Sequence, residues 1–202
     1  WIHCHSQWHL EYRMSTLELK ELSHPSGEVI KIAAGKTLDL KSQGTTTLPT
    51  GSVLQVVSVT KTQALSANIT SALAITGLSV NITPTNASSK ILVTSSVVAS
   101  TGSGSRAFIE IRKDGSSLVQ GNSANNRRRC HAQIQNSDAG FMNSIAMQFL
   151  DSPNTTSSIT YQVYGLDEGG STPININLSS SDTDGPSRGR GVSTITVMEI
   201  QG

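Results

Sequence analysis

Residues 90–118 read KILVTSSVVASTGSGSRAFIEIRKDGSSL: two strand-like runs separated by a Gly/Ser loop, the second closing on Asp-Gly. The first run, KILVTSSVVAS, is nearly continuous in apolar and small residues, the pattern of a strand buried on both sides. The second run alternates. It places Phe108 or Ile109, with Ile111, inside and Glu110 and Arg112 outside. Asp114-Gly115 is a strong hairpin turn into SLVQG, because both residues tolerate the positive φ that a two-residue hairpin requires.

The same texture extends in both directions. SVLQVVSVTKT carries Val53, Val57 and Val59, and TGLSVNITPT places Leu78, Val80 and Ile82 on one face. SIAMQFLDSP, SITYQVYGL, PININLS and VSTITVMEI complete the set, and helical periodicity is absent. About eight to ten strands in about 150 residues, joined by Gly, Asn and Ser turns, predict an all-β antiparallel sandwich, with the jelly roll as the leading form.

Composition agrees with that class. Of 202 residues, 36% are hydrophobic and only 14% charged, so Ser, Thr, Asn and Gly supply the polarity. Aromatics are 4%, so the core rests on Val, Ile, Leu and Ala. The net charge of +1 gives no global field to recruit nucleic acid or an anionic membrane. No apolar run approaches the roughly 18 residues of a membrane span, and no lysine-led apolar segment opens the sequence.

The N-terminal part divides by style. WIHCHSQWHLEYR, residues 1–13, holds both tryptophans and three of the five histidines, and Met14 then opens a Ser/Thr/Leu text. His3, Cys4, His5 and His9 are the residue types of a zinc or copper site. The competing reading is a tag, upstream sequence or attachment peptide before Met14. Residues 14–50 contain short, thinly apolar strand candidates at 29–32 and, after a turn at Gly35, around Leu38 and Leu40. Such pieces find burial by pairing with other copies of themselves. They read as an attachment and neck segment, with a threonine spacer and Pro49-Thr50-Gly51 as the corner into the sandwich of residues 51–202.

The strand order KILVTSSVVAS, AFIEIRKDGSSLVQG, SIAMQFLDSPNTTSSITYQVYGL and, last, VSTITVMEI resembles compact trimeric jelly rolls of the complement C1q and tumour necrosis factor type. With the leader GKTLDLKSQG, it resembles structural proteins of marine and cyanobacterial tailed phages, particularly the distal domains of tail fibres. The resemblance covers residues 29–200. It implies a virion protein, a homotrimer attached to other virion proteins through residues 14–50, with a jelly roll that meets a glycan or protein of the host surface. A capsid decoration or cement protein is the alternative within the same setting. No long stalk accompanies the domain, which departs from the tail-fibre pattern.

Motifs of catalysis are missing: no GxSxG elbow, P-loop or HExxH occurs. His24 and His131 fall in no recognisable metal or nucleophile spacing, and the distant Cys4 and Cys130 form no short-spaced metal pair or disulfide framework. Asp167-Glu168 and Asp182 with Asp184 are paired acids, suited to glycoside hydrolysis or calcium but in such loops more often plain turn residues. The sequence therefore predicts no enzyme and no cofactor. Asn-x-Ser/Thr triplets at Asn68, Asn81, Asn86, Asn154 and Asn177 follow from a composition rich in those residues.

The sharpest polar feature is NSANNRRRCHAQ. On an extended segment Arg127 and Arg129 would share one side and Arg128 the other. Arginine forks bind phosphate, sulfate and carboxylate, or pair with acids of a neighbouring subunit. With His131 beside them, and with Arg188 and Arg190 in PSRGRG forming a second basic loop, these six residues are the binding candidates. Residues 101–106 and 151–158 are further candidate loops on a rigid scaffold.

Overall fold

Period-two alternation becomes two sheets closed over one apolar layer. The computed structural model describes residues 34–36, 48–167 and 173–202. Two compact units divide the chain, Trp1–Thr47 and Leu48–Gly202. In the first unit the described residues are the 34–36 turn, where Gly35 takes φ 74°. The leader site at His3, Cys4, His5 and His9, His24, and the strand candidates at 29–32 and 38–40 lie outside the described residues, as does Glu168.

The second unit is all-β, with no helix among the described residues. Its strands are β1 (Val53–Lys61), β2 (Leu65–Asn68), β3 (Leu73–Ile82), β4 (Lys90–Ser100), β5 (Arg106–Lys113), β6 (Ser116–Ser117), β7 (Ala132–Gln135), β8 (Asn143–Asp151), β9 (Ile159–Asp167), β10 (Pro173–Ile176) and β11 (Ser193–Ile200). The first sheet runs β1-β11-β4-β10-β2, with β8 also paired to β4; the second runs β3-β9-β5-β6, with β7 also paired to β5. All named pairings are antiparallel. The result is the expected antiparallel sandwich, jelly-roll-like in form.

The core is built as composition requires. Ile91, Val93, Val97, Ile195 and Val197 from the first sheet face Leu78, Val80, Ile109, Ile111, Tyr161 and Val163 from the second, all buried. Leu78, Val80 and Ile82 share the buried face as the alternation predicts. Val53 does not join them: it is 51% exposed, because the ladder to β11 shifts register between Val53 and Gln55.

One fold-level expectation is overturned. β4 is central in its sheet, yet its burial alternates: Ile91, Val93, Ser95, Val97 and Ala99 are buried, while Leu92, Thr94 and Val98 are half-buried and Ser96 is exposed. A run that reads as covered on both sides is covered on one in the single chain. The reason is topological, since no described segment crosses the outer face of that sheet as a crossover helix would.

Local chemistry fixes the turns. Asp114 (φ 48°) and Gly115 (φ 78°) form the two-residue hairpin between β5 and β6, with Lys113 opposite Ser116. At the entry corner the Ser52 N–H donates to the Pro49 carbonyl (3.0 Å) and Gly51 takes φ 89°, a conformation costly for a residue with a Cβ. Asn177, one of the five sequons, is fully buried at φ 65°. Its amide donates to the Lys61 and Gln63 carbonyls and accepts from the Ser193 hydroxyl, stitching the ends of β1 and β10 to β11.

At the opposite end of the core Glu199 points inward and is fully buried. Burial pushes its carboxyl up, but hydrogen bonds from Gln55 (2.6 Å) and from the Thr85 amide and hydroxyl (2.7 Å each) hold it below its ordinary value.

Candidate functional site

The outer face of the second sheet is where polar side chains converge. Cross-strand pairing sets Phe108 opposite Leu166, Glu110 opposite Tyr164, and Arg112 opposite Gln162, all on the side away from the core. After β6 the chain leaves the sheet, turns at Asn125 (φ 51°) and Asn126, and returns as β7 along the first half of β5. Residues 120–130 thereby stand against the floor formed by β5 and β9. Between them lies a cleft of about 320 Å³ lined by Phe108, Glu110, Arg112, Tyr164 and the arginines 127–129, with Ala72, Leu166, Gln120 and Cys130 at its sides.

Glu110 organises this cleft. Alternation places it outside, but it is 8% exposed because the returning segment covers it. Its carboxylate accepts from Arg112 Nε (2.6 Å), from the Ser117 hydroxyl and from Gln120 Nε2 (2.7 Å). Gln120 also reaches the Arg129 carbonyl (3.3 Å), and Arg129 Nε donates to the Gly121 carbonyl (2.8 Å). A buried carboxylate needs such donors to offset lost hydration, so the charge that fixes the floor also fixes the wall.

The three arginines correct the sequence expectation. They do not alternate across a strand, because residues 127–130 carry no ladder and follow a turn; all three are exposed and all line the one cleft. Arg128 lies over the Phe108 ring at 5.7 Å and Arg112 over the Tyr164 ring at 4.6 Å, both within cation–π range. Four guanidinium groups against one carboxylate leave the lining with three positive charges in excess.

His131 is not among the cleft residues. Its Nδ1 accepts the Ile111 N–H (3.0 Å) and its backbone N–H donates to the Ile109 carbonyl, so it extends the β7 ladder; its ring stacks on Phe149 at 5.5 Å. Burial, against a smaller opposing pull from Glu110, lowers its pKa, keeping it neutral and able to accept. Cys130 is at the cleft, but burial and then the Glu110 charge push its thiol up, away from the thiolate that nucleophilic chemistry needs.

Arg188 and Arg190 lie elsewhere, in the loop before β11. They share a hollow with Asp182, Thr183 and Asp184, and Arg190 pairs with Asp182 at 2.8 Å. The Arg188 guanidinium packs against Gly140, where an added Cβ would collide with it. Among the described residues no group of three or more His, Cys, Asp and Glu could hold a metal ion.

Sequence reasoning found the arginine run and missed Glu110, Arg112, Gln120 and Tyr164 as its partners. Alternation signals that Glu110, Arg112 and Tyr164 point outward, but not that residues 120–130 fold back over them.

No protein-family model matches the chain, and no match is found among curated proteins. Among solved structures the chain is similar to infectious bursal disease virus of the Gx strain, with a TM-score of 0.40 and 16% identity over 82% of this chain and 41% of that one. A mutant VP2 protein of the same virus, in derived T=1 particles, gives a TM-score of 0.40 and 15% identity over 81% of this chain and 40% of that one. The chain spans about two fifths of the length of these proteins.

Proposed function

We propose that this chain is a non-enzymatic structural protein of a virus particle, a homotrimeric appendage of the tail-fibre kind whose residues 14–50 attach it to other virion proteins. Its jelly-roll-like domain meets the host surface. The setting is carried by the sequence resemblance over residues 29–200. The assembly is supported by one structural observation, the open outer face of the first sheet.

On that face Val56 stands opposite Met198, Met198 opposite Leu92, and Leu92 opposite Leu150, an unbroken apolar row across four adjacent strands. Val56 is 54% and Leu150 53% exposed. The next row is Ser58, Thr196, Thr94 and Gln148, and beyond it Thr60, Thr194, Ser96 and Ala146. The short Ser, Thr and Ala side chains leave an open hollow of about 270 Å³ over Thr94, Ser96, Ala146, Gln148 and Thr194, and an exposed apolar row beside it favours contact with another surface. β4, whose sequence reads as buried on both sides, obtains its second cover if this face meets the same chain in a closed ring.

The test is the solution mass of the whole chain by light scattering across a dilution series. A mass three times the 21.3 kDa of one chain, persisting on dilution, is the expected result. A monomer at all concentrations would remove the assembly from this reading.

A further inference from the structure

We propose that the cleft on the second sheet binds an acidic sugar residue, its acid group held by Arg127 and Arg128 and its ring against the apolar floor. The inference deepens the reading above, in which the domain meets a host surface, by naming the ligand class and the residues that take it.

Two of the four cleft cations are already engaged. Arg112 is held by Glu110, and Arg129 spends its Nε on the Gly121 carbonyl. Arg127 makes no side-chain hydrogen bond or ion pair among the described residues, and Arg128 has only its place over Phe108. Two guanidinium forks thus remain with donors to give, beside a floor of Phe108, Leu166 and Ala72. A carboxylate or sulfate accepts two parallel hydrogen bonds from such a fork. An apolar cleft with a few converging polar groups selects a compact ligand with one charged end. A sugar acid has that shape: an anionic group on a ring whose C–H edges are apolar and whose hydroxyls reach Gln120 at the rim.

Nucleic acid fits less well. Phosphate tracking needs cations spaced along a backbone path, whereas these are consecutive and grouped in one hollow. The Tyr164 face that a base would stack on is occupied by Arg112.

Isothermal titration of the whole chain with four probes tests this: trigalacturonate (carboxylate), a sulfated heparin disaccharide, neutral maltotriose and a short oligothymidylate. At least one acidic sugar should bind at least about tenfold more tightly than maltotriose, as expected for a charge-assisted contact. The R127A/R128A double variant should lose about tenfold while keeping its mass and unfolding midpoint, and R188A/R190A should bind as the parent does. Acidic and neutral sugars binding alike, oligothymidylate binding tightest, or an R127A/R128A protein with undiminished affinity would each overturn the assignment. A trimer that binds neither acidic sugar overturns the ligand class alone; a monomer that binds one overturns the assembly alone.

Discussion

The two sheets of this sandwich share a core and differ on their outer faces. The first sheet presents Val56, Met198, Leu92 and Leu150 in a row, with Ser- and Thr-rich rows beside it and with Val56 and Leu150 more than half exposed. The second carries Phe108, Glu110, Arg112, Tyr164 and a returning segment that closes a charged cleft. Strand chemistry is similar in both. The difference lies in one connection: β6 to β7 leaves and returns on the same face, and it brings Gln120 down onto a buried carboxylate. A sheet face is made specific by what is folded over it, and an uncovered face stays generic and adhesive.

The largest break in that contrast comes from Glu110→Ala. It leaves Arg112 without its counter-ion and Gln120 and Ser117 without their acceptor, in a site 8% exposed. We expect a loss of about 3 kcal/mol in urea unfolding, with faster amide exchange over residues 117–129. Unchanged exchange there would show that the segment is held by something other than Glu110.

The opposite face is probed by Leu150→Asp. Since Leu150 is 53% exposed, the folded chain should lose less than about 1 kcal/mol. The solution mass should fall to that of a single chain, because a carboxylate in an apolar contact costs several kcal/mol at each copy. A trimer that survives this change would move the interface off the first sheet.

Acid should act on His131 and Glu199 in sequence. The His131 pKa is lowered from 6.5 in the folded chain. Its neutral form therefore stabilises fully above pH 6.5, and that contribution is lost as pH falls through the depressed value. The Glu199 pKa is lowered from 4.5, so its contribution holds above pH 4.5 and is lost below that. We expect unfolding free energy to decline first below 6.5, together with exchange protection of the Ile111 amide that His131 accepts. His131→Phe should remove the first decline and leave the second.

The smallest effect is expected at the Arg190–Asp182 pair, whose side chains are 58% and 44% exposed. Asp182→Asn should change stability by less than about 0.5 kcal/mol and leave both faces as they are. A larger loss would mean that the loop before β11 is more than a solvated surface.

Much of this molecule was legible because strand alternation is a local property. Leu78, Val80 and Ile82 could be assigned to the core from their spacing, and Asp114-Gly115 to a hairpin from the φ values that two residues allow. The arginine run was visible as a cluster of like charge. The cleft it lines was not, because Glu110 and Arg127 come to line one hollow only when the segment between them turns at Asn125. Nor was the one-sided burial of β4 visible, since composition reports what a strand can tolerate on each side and not what covers it.

What the sequence determined by itself is therefore the material: all-β strands, their inward residues and their turns, each set by steric and solvation preferences that act over a few neighbours. Tertiary structure alone decided which outward faces were closed. It buried Glu110, took His131 into the ladder, gathered three arginines into one hollow and left Val56, Met198, Leu92 and Leu150 uncovered. Those outcomes depend on contacts between residues far apart in the chain, where the path of one connection sets the environment of a side chain that its own neighbours would leave in water.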